Sequence, residues 1–368
     1  MNNNMIVYRE KPIIDEICDI YHYDDNIRHI LYVIIPAFVL KYGYEKESVI
    51  INTFKETKKN KFKNAKKVLE NYGYNIVMSK NIFTCVKGRS NTAINRAREV
   101  EEYFNNSNID LILCATGGDF LLEILPYIDF NIIKNNPKWI SGFSDPTGLL
   151  YTITTKLDIA TIYGQNFSPF GMEKLHKTQI DFLNMINGKL ISYDSFDKYE
   201  DSYTEEVTGL EYYNLNKKVS WKVLKGDSAK FKGRIIGGCF DLISNLIGTK
   251  YDGGVDFTLK YKDDGIIWYF DNCELSLEEV IRVLWKMNEI GYFKYATGII
   301  FGRFGVVNSY YGYDVKSCLL DSVLNSLDIP VIYDADISHK SPSMNIINGA
   351  IAFVKCKNNK GTIKFELR

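Results

Sequence analysis

Apolar spacing between residues 48 and 115 alternates between strand and helix patterns, and this most restricts the fold. Ser48 to Thr53 is a short apolar run of the kind found in buried parallel strands. Lys61 to Tyr74 sets Phe62, Ala65, Val68 and Leu69 at helical spacing among lysines and closes on Gly73. Asn75 to Met78 reads as the next strand, Thr92 to Asn105 as an amphipathic helix, and Ile109 to Ala115 as a further strand. Parallel neighbours need a crossover of about a dozen residues or more, so this alternation predicts βαβ units and a parallel sheet. Pro137 to Gly142 then leads into a helix near Thr147 to Leu157.

Beyond residue 195 the pattern changes. Asp194 to Glu206 is acidic and polar and reads as a linker or exposed loop. Short strands follow at Val219–Leu224, Arg234–Gly238, Ile266–Phe270, Gly298–Phe301, Val331–Tyr333 and Ala350–Val354, with one helix at Leu277–Glu289. The predicted organisation is an extension over 1–45, an α/β domain over 46–170, a linker over 171–205 and a β-rich domain over 206–368. The apolar stretch Ile30 to Leu40 is too short to span a bilayer and contains Pro36, so it reads as buried structure.

A chain of 368 residues with 46% hydrophobic and 24% charged residues can bury two cores. Its formal net charge of zero argues against a general nucleic-acid or membrane-surface binder. Seven scattered cysteines without CxxC spacing predict reduced thiols in a cytoplasmic protein and no zinc cluster, and the polar start does not read as a signal peptide. No metal or cofactor is expected.

Three stretches could carry chemistry. In the first, the strand ending near Cys114 runs into Gly117-Gly118 and then Leu121 and Leu122. Such a turn can present a nucleophile and free backbone N–H groups to an oxyanion, although an ordinary βα turn reads the same way. In the second, Asp271 and Glu274 sit at the C-terminal end of the strand that starts at Ile266, where a carboxylate can orient a histidine; helix capping by Asp271, Ser276 or both is the alternative. In the third, His339, one of four histidines, lies in a loop with Pro342 and Asn345, placed as a general base or as a solvent-exposed loop histidine.

Together these stretches resemble the LD-carboxypeptidase family, and within it the microcin C self-immunity branch. The likeness runs from about residue 48 to 355. The branch's GGDDS, LLPYIDY, NPK, GYSD-T and TFYGP appear as GGDFL, ILPYIDF, NPK, GFSDPT and TIYGQ. Its GGNL…GT appears as Gly237-Gly238-Cys239-Phe240 through Gly248-Thr249, and its GH..P loop as Ser338-His339 to Pro342. The resemblance implies an α/β domain, flavodoxin- or Rossmann-like, joined to a mostly β swivelling domain. It also implies a Ser–Glu–His triad in the cleft, amide hydrolysis next to a free carboxylate, muropeptide or peptidyl-nucleotide ligands, and a homodimer.

Carried over residue by residue, the histidine is His339, the glutamate falls on Asp271 and the serine on Leu121, which has no nucleophilic atom. Gly117, Gly118, Asp119, Leu122, Ser144, Asp145 and Cys239 fall on oxyanion or ligand-facing positions. The expectation is therefore an impaired or inactive member that binds a small peptide or peptidyl nucleotide. The alternative is an active hydrolase with a relocated nucleophile or an activated water, for which Ser141, Ser144, Asp119 and Cys239 are the nearby groups. In a third reading the first 45 residues cover the cleft or build a dimer surface.

Overall fold

The computed structural model describes residues 28–34, 47–189, 192–202 and 206–367. Its first sheet contains β1 (Arg28–Ile34), β2 (Tyr74–Met78), β3 (Leu111–Cys114), β4 (Trp139–Gly142) and β5 (Thr161–Tyr163). These five are parallel neighbours in the order β5-β4-β3-β1-β2. Thr92 caps the helix Ala93–Asn105 by accepting from Asn95 N, and Val100, Tyr103 and Phe104 turn from that helix into the core.

Two expectations about this half change. Ser48–Thr53 is not a strand but part of the helix Glu47–Asn71. A short apolar run cannot be told from a buried helix segment by periodicity, and here the run continues into the helix already read from residue 61. The missing strand is β1, which comes from within the segment set apart as an extension and lies between β3 and β2. Residues 35–40 of the predicted buried stretch, and most of the segment proposed to cover the cleft, lie outside the described residues.

The second sheet has eight strands. In chain order they are β6 (Ser192–Asp194), β9 (Lys222–Val223), β10 (Ser228–Cys239), β11 (Ile266–Asp271), β12 (Ala296–Gly302), β13 (Val331–Ala335), β15 (Ile351–Lys357) and β16 (Lys360–Glu366). A separate two-stranded ribbon pairs β7 (Lys198–Tyr199) with β8 (Lys217–Lys218). Strands β10 to β13 run parallel, and every residue of β11 is buried, as its continuous apolar text requires. Segment 171–205 is more than a linker: it holds the helix Lys177–Ile186, and β6 pairs with β16. The signal was faint because in β6 only Tyr193 is buried, between exposed Ser192 and Asp194. The helix Leu277–Glu289 has the predicted bounds and a capping box between Ser276 and Glu279, so Ser276, not Asp271, is its cap.

One crossing determines where a site can form. After β13 the chain leaves the second sheet and enters β14 (Ile346–Asn348), which pairs antiparallel with β5 of the first. The connecting loop, which contains His339, therefore joins the carboxyl ends of the parallel strands of both sheets, the usual place for ligands in such sheets.

Candidate active site

Three strand ends and the crossing loop converge. β11 ends on Asp271, in register with Cys239 at the end of β10. β4 ends on Gly142, and a turn of four residues leads into the helix Thr147–Thr152. The crossing loop passes so close to the end of β12 that a Cβ on Gly302 would collide with the carbonyl of Ile337.

The imidazole of His339 lies between Asp271 and Ser144. Its Nδ1 is 3.0 Å from Asp271 Oδ2, an ion-pair distance, although the ring N–H is not aimed squarely enough for a straight hydrogen bond. Its Nε2 is 2.9 Å from Ser144 Oγ. The backbone N–H of His339 donates to Asp271 Oδ1 at 3.2 Å, and the Tyr163 hydroxyl donates to Oδ2 at 2.6 Å. The fully buried carboxylate thus has the donors a buried charge requires. Phe143 packs against both rings, 4.7 Å from His339 and 4.9 Å from Tyr163 between centroids. Burial opposes a charge on His339, but Asp271 outweighs it, with Cys273 adding to the effect, and holds the imidazole well above the usual histidine range.

The loop is braced from below. Buried Arg303 forms an ion pair with Asp336 and donates through Nη2 to the carbonyls of Lys340 and Pro342, at 2.8 and 2.9 Å. Asp336 also accepts from Trp221 Nε1 and Phe196 N, both at 2.9 Å. These contacts fix the backbone on both sides of His339, which limits where its ring can point.

The other expected site residues separate into groups. Leu121 is the first residue of a 3-10 helix, Leu121–Tyr127, and is 3% exposed. Its backbone N–H and that of Phe120 are taken by Asp145 Oδ2, at 2.9 and 3.1 Å. Burial pushes Asp145 up to about 7 against the pull of these two donors. Gly117 abuts Ser144: a Cβ there would lie 3.0 Å from Ser144 Cβ and 3.3 Å from its Oγ. Gly118 follows it in the same loop, Asp119 is exposed, and the Leu122 side chain packs over Gly148. Cys239 is buried; its thiol lies 3.4 Å from Asp241 Oδ2, and burial raises its pKa well above the usual thiol value. It is therefore a poor nucleophile. Ser141 is fully buried and donates to the Gln165 carbonyl, and Glu274 is exposed, so neither joins the His339 cluster. His176 caps the helix Lys177–Ile186, and burial draws its pKa down to about 4. Among the described residues no group of three or more His, Cys, Asp or Glu side chains could hold a metal ion, and no helix is long and apolar enough to cross a membrane.

Sequence reading missed Tyr163, Phe143, Arg303 and Asp241. Tyr163 and Phe143 lie inside motifs already singled out, but nothing in the spacing says that a tyrosine on β5 reaches a carboxylate on β11. Asp241 accepts from the backbone N–H groups of Cys273, Glu274 and Leu275 and so holds the turn after Asp271. The FD pair after Gly237-Gly238-Cys239 was its only trace in the sequence.

A parallel-sheet domain, a β-rich domain and a serine, histidine and carboxylate gathered where their strands end define a hydrolase-type fold. The chain belongs to the LD-carboxypeptidase family: residues 50–164 match the LD-carboxypeptidase N-terminal domain and residues 232–354 the C-terminal domain. It is 27% identical over 311 residues to the microcin C7 self-immunity protein MccF of Escherichia coli, covering 79% of this chain and 84% of that protein. Among solved structures it resembles the MccF-like protein of Bacillus anthracis, with a TM-score of 0.76, 22% identity and coverage of 93% and 98% of the two chains. It also resembles MccF in complex with aspartyl sulfamoyl adenosine, with a TM-score of 0.72, 23% identity and coverage of 92% and 96%.

Proposed function

We propose that this chain hydrolyses an amide bond next to a free carboxylate, in a peptide or peptidyl-nucleotide ligand held between its two domains. The observation that carries this reading is His339, with Asp271 on one ring nitrogen and a hydroxyl on the other. That arrangement suits a general base that accepts a proton from the attacking group and returns it to the leaving amine. Asp271 is shorter than a glutamate by one methylene, and donation from Tyr163 and the His339 backbone to its two oxygens holds it in reach of the ring. Family membership supports the reaction class, and the aspartyl sulfamoyl adenosine bound to MccF supports the ligand class. A cytoplasmic, homodimeric protein is part of the same reading, and sedimentation of the purified chain tests the dimer.

The test is mass-spectrometric product analysis with an L,D-linked tetrapeptide and with aspartyl sulfamoyl adenosine. Turnover that falls about a thousand-fold or more in His339→Ala and Asp271→Asn is expected. Leu121 favours a second reading, a binder that does not cleave. Saturable binding of either compound, with no product from the unaltered chain, would establish that reading instead.

A further inference from the structure

From the contact at His339 Nε2 we infer that Ser144 is the attacking nucleophile and that the turn Gly142–Thr147 is a second nucleophile elbow replacing the one ending at Leu121. The inference rests on the hydrolase reading and names its missing group.

Three independent features of Ser144 agree. Its Oγ lies 2.9 Å from His339 Nε2, the distance of a nucleophile bonded to its base. Its backbone has φ +72°, and a serine held in the left-handed region pays a strain that ordinary turns avoid. It also stands between a strand and a helix: β4 ends at Gly142, two residues before it, and the helix begins at Thr147, three after. A serine on a sharp, strained strand-to-helix turn, with a small residue two positions before it, is the geometry that exposes a hydroxyl above a parallel sheet. The turn is tight enough that a Cβ on Gly142 would meet Pro146, and would lie 3.0 Å from Cys114 Sγ.

Leu121, on which the family's serine falls, lacks the base contact and the positive φ. Leu121 is buried, has no positive φ and begins a 3-10 helix. The two N–H groups at the start of that helix are spent on Asp145, the residue after Ser144. The two turns are therefore tied together, with Gly117 of the Leu121 turn against the Ser144 side chain. Cys239 and Ser141 are excluded by burial and by their own partners.

In the reaction the Ser144 Oγ lone pair attacks the carbonyl carbon while its proton passes to His339 Nε2. The tetrahedral oxyanion collapses, the C–N bond breaks, and His339 gives the proton to the leaving amine. Water then attacks the Ser144 ester and returns its proton through His339, which frees the acid and restores the hydroxyl. Electrons and protons balance without another reactant.

The test combines a fluorophosphonate probe, mapped by peptide mass spectrometry, with turnover of Ser144→Ala and Ser144→Gly. The glycine variant removes the hydroxyl while relieving the positive φ, so a folding defect in the alanine variant does not decide the result. The inference expects His339-dependent labelling on the peptide Trp139–Lys156, and turnover reduced about a thousand-fold in both variants. Turnover that survives both variants yet requires His339 overturns Ser144 and leaves the hydrolase reading standing. Labelling of Ser144 without turnover of either test compound keeps the nucleophile and defeats the substrate reading. Neither labelling nor turnover defeats both.

Discussion

Ser144 and His339 are 195 positions apart in the chain, yet Oγ and Nε2 meet at 2.9 Å. The meeting is possible because the crossing loop between β13 and β14 carries the histidine from one sheet to the edge of the other. A serine in the turn after β4 and a carboxylate at the end of β11 thereby reach opposite sides of one ring. The site needs residues from both halves of the chain: the turn after β4 supplies Ser144, and β11 and the crossing loop supply Asp271 and His339.

The pH dependence of turnover follows from the same pairing. Asp271, overcoming the effect of burial, raises His339 above its ordinary value of about 6.5, so the neutral imidazole that accepts the proton gains population as pH climbs. kcat/KM is expected to rise with pH and to level off only on the alkaline side of that value. Asp271→Asn should move the rise downward while lowering the plateau. Because the folded pKa is raised, the pair stabilises the fold fully below about pH 6.5, and that contribution is lost as pH climbs through the titration of His339.

Leu121→Ser separates the elbow expected from the family motif from the one at Ser144. Leu121 is 3% exposed and packs near Gly148 on the helix after Ser144. Replacing it with a small polar residue is expected to cost about 3 kcal/mol of unfolding free energy in denaturant titration. Placed in the Ser144→Ala background, it is expected to restore no turnover. Recovery of activity there would show that the family's own geometry is still available.

Arg303 is expected to matter for stability more than its distance from Ser144 suggests. Arg303→Leu leaves Asp336 buried without its partner and should lower unfolding free energy by about 3–5 kcal/mol. Adding Asp336→Leu should recover part of that loss, which chemical denaturation of the single and double variants would reveal.

Tyr163→Phe removes one donor from a buried carboxylate without changing the packing of the ring. It is expected to cost about 1–3 kcal/mol of stability and to lower kcat with little change in KM, because Tyr163 is fully buried and its hydroxyl is bound to Asp271.

Sequence patterning was informative wherever a segment's environment was uniform. β11, buried throughout, and the capped helix Leu277–Glu289 both appear at or near their predicted bounds. Patterning misread Ser48–Thr53, where a short apolar run opens a long helix, and β6, where a single buried residue marks an edge strand. His339 and Asp271 could be singled out because a strand end and a motif pointed to each. Ser144 could not be raised above its neighbours in the sequence. Its distinguishing features are a positive φ and a contact 195 positions away, and neither leaves a local pattern. The family motif points to Leu121, because a motif specifies a position in the chain and not where a hydroxyl meets the base.

The most direct test is an acid quench during turnover followed by peptide-resolved mass spectrometry of the chain. An acyl adduct on Ser144 that is absent from His339→Ala is the expected result. An adduct on any other residue, or product formed while Ser144 is never modified, would contradict it.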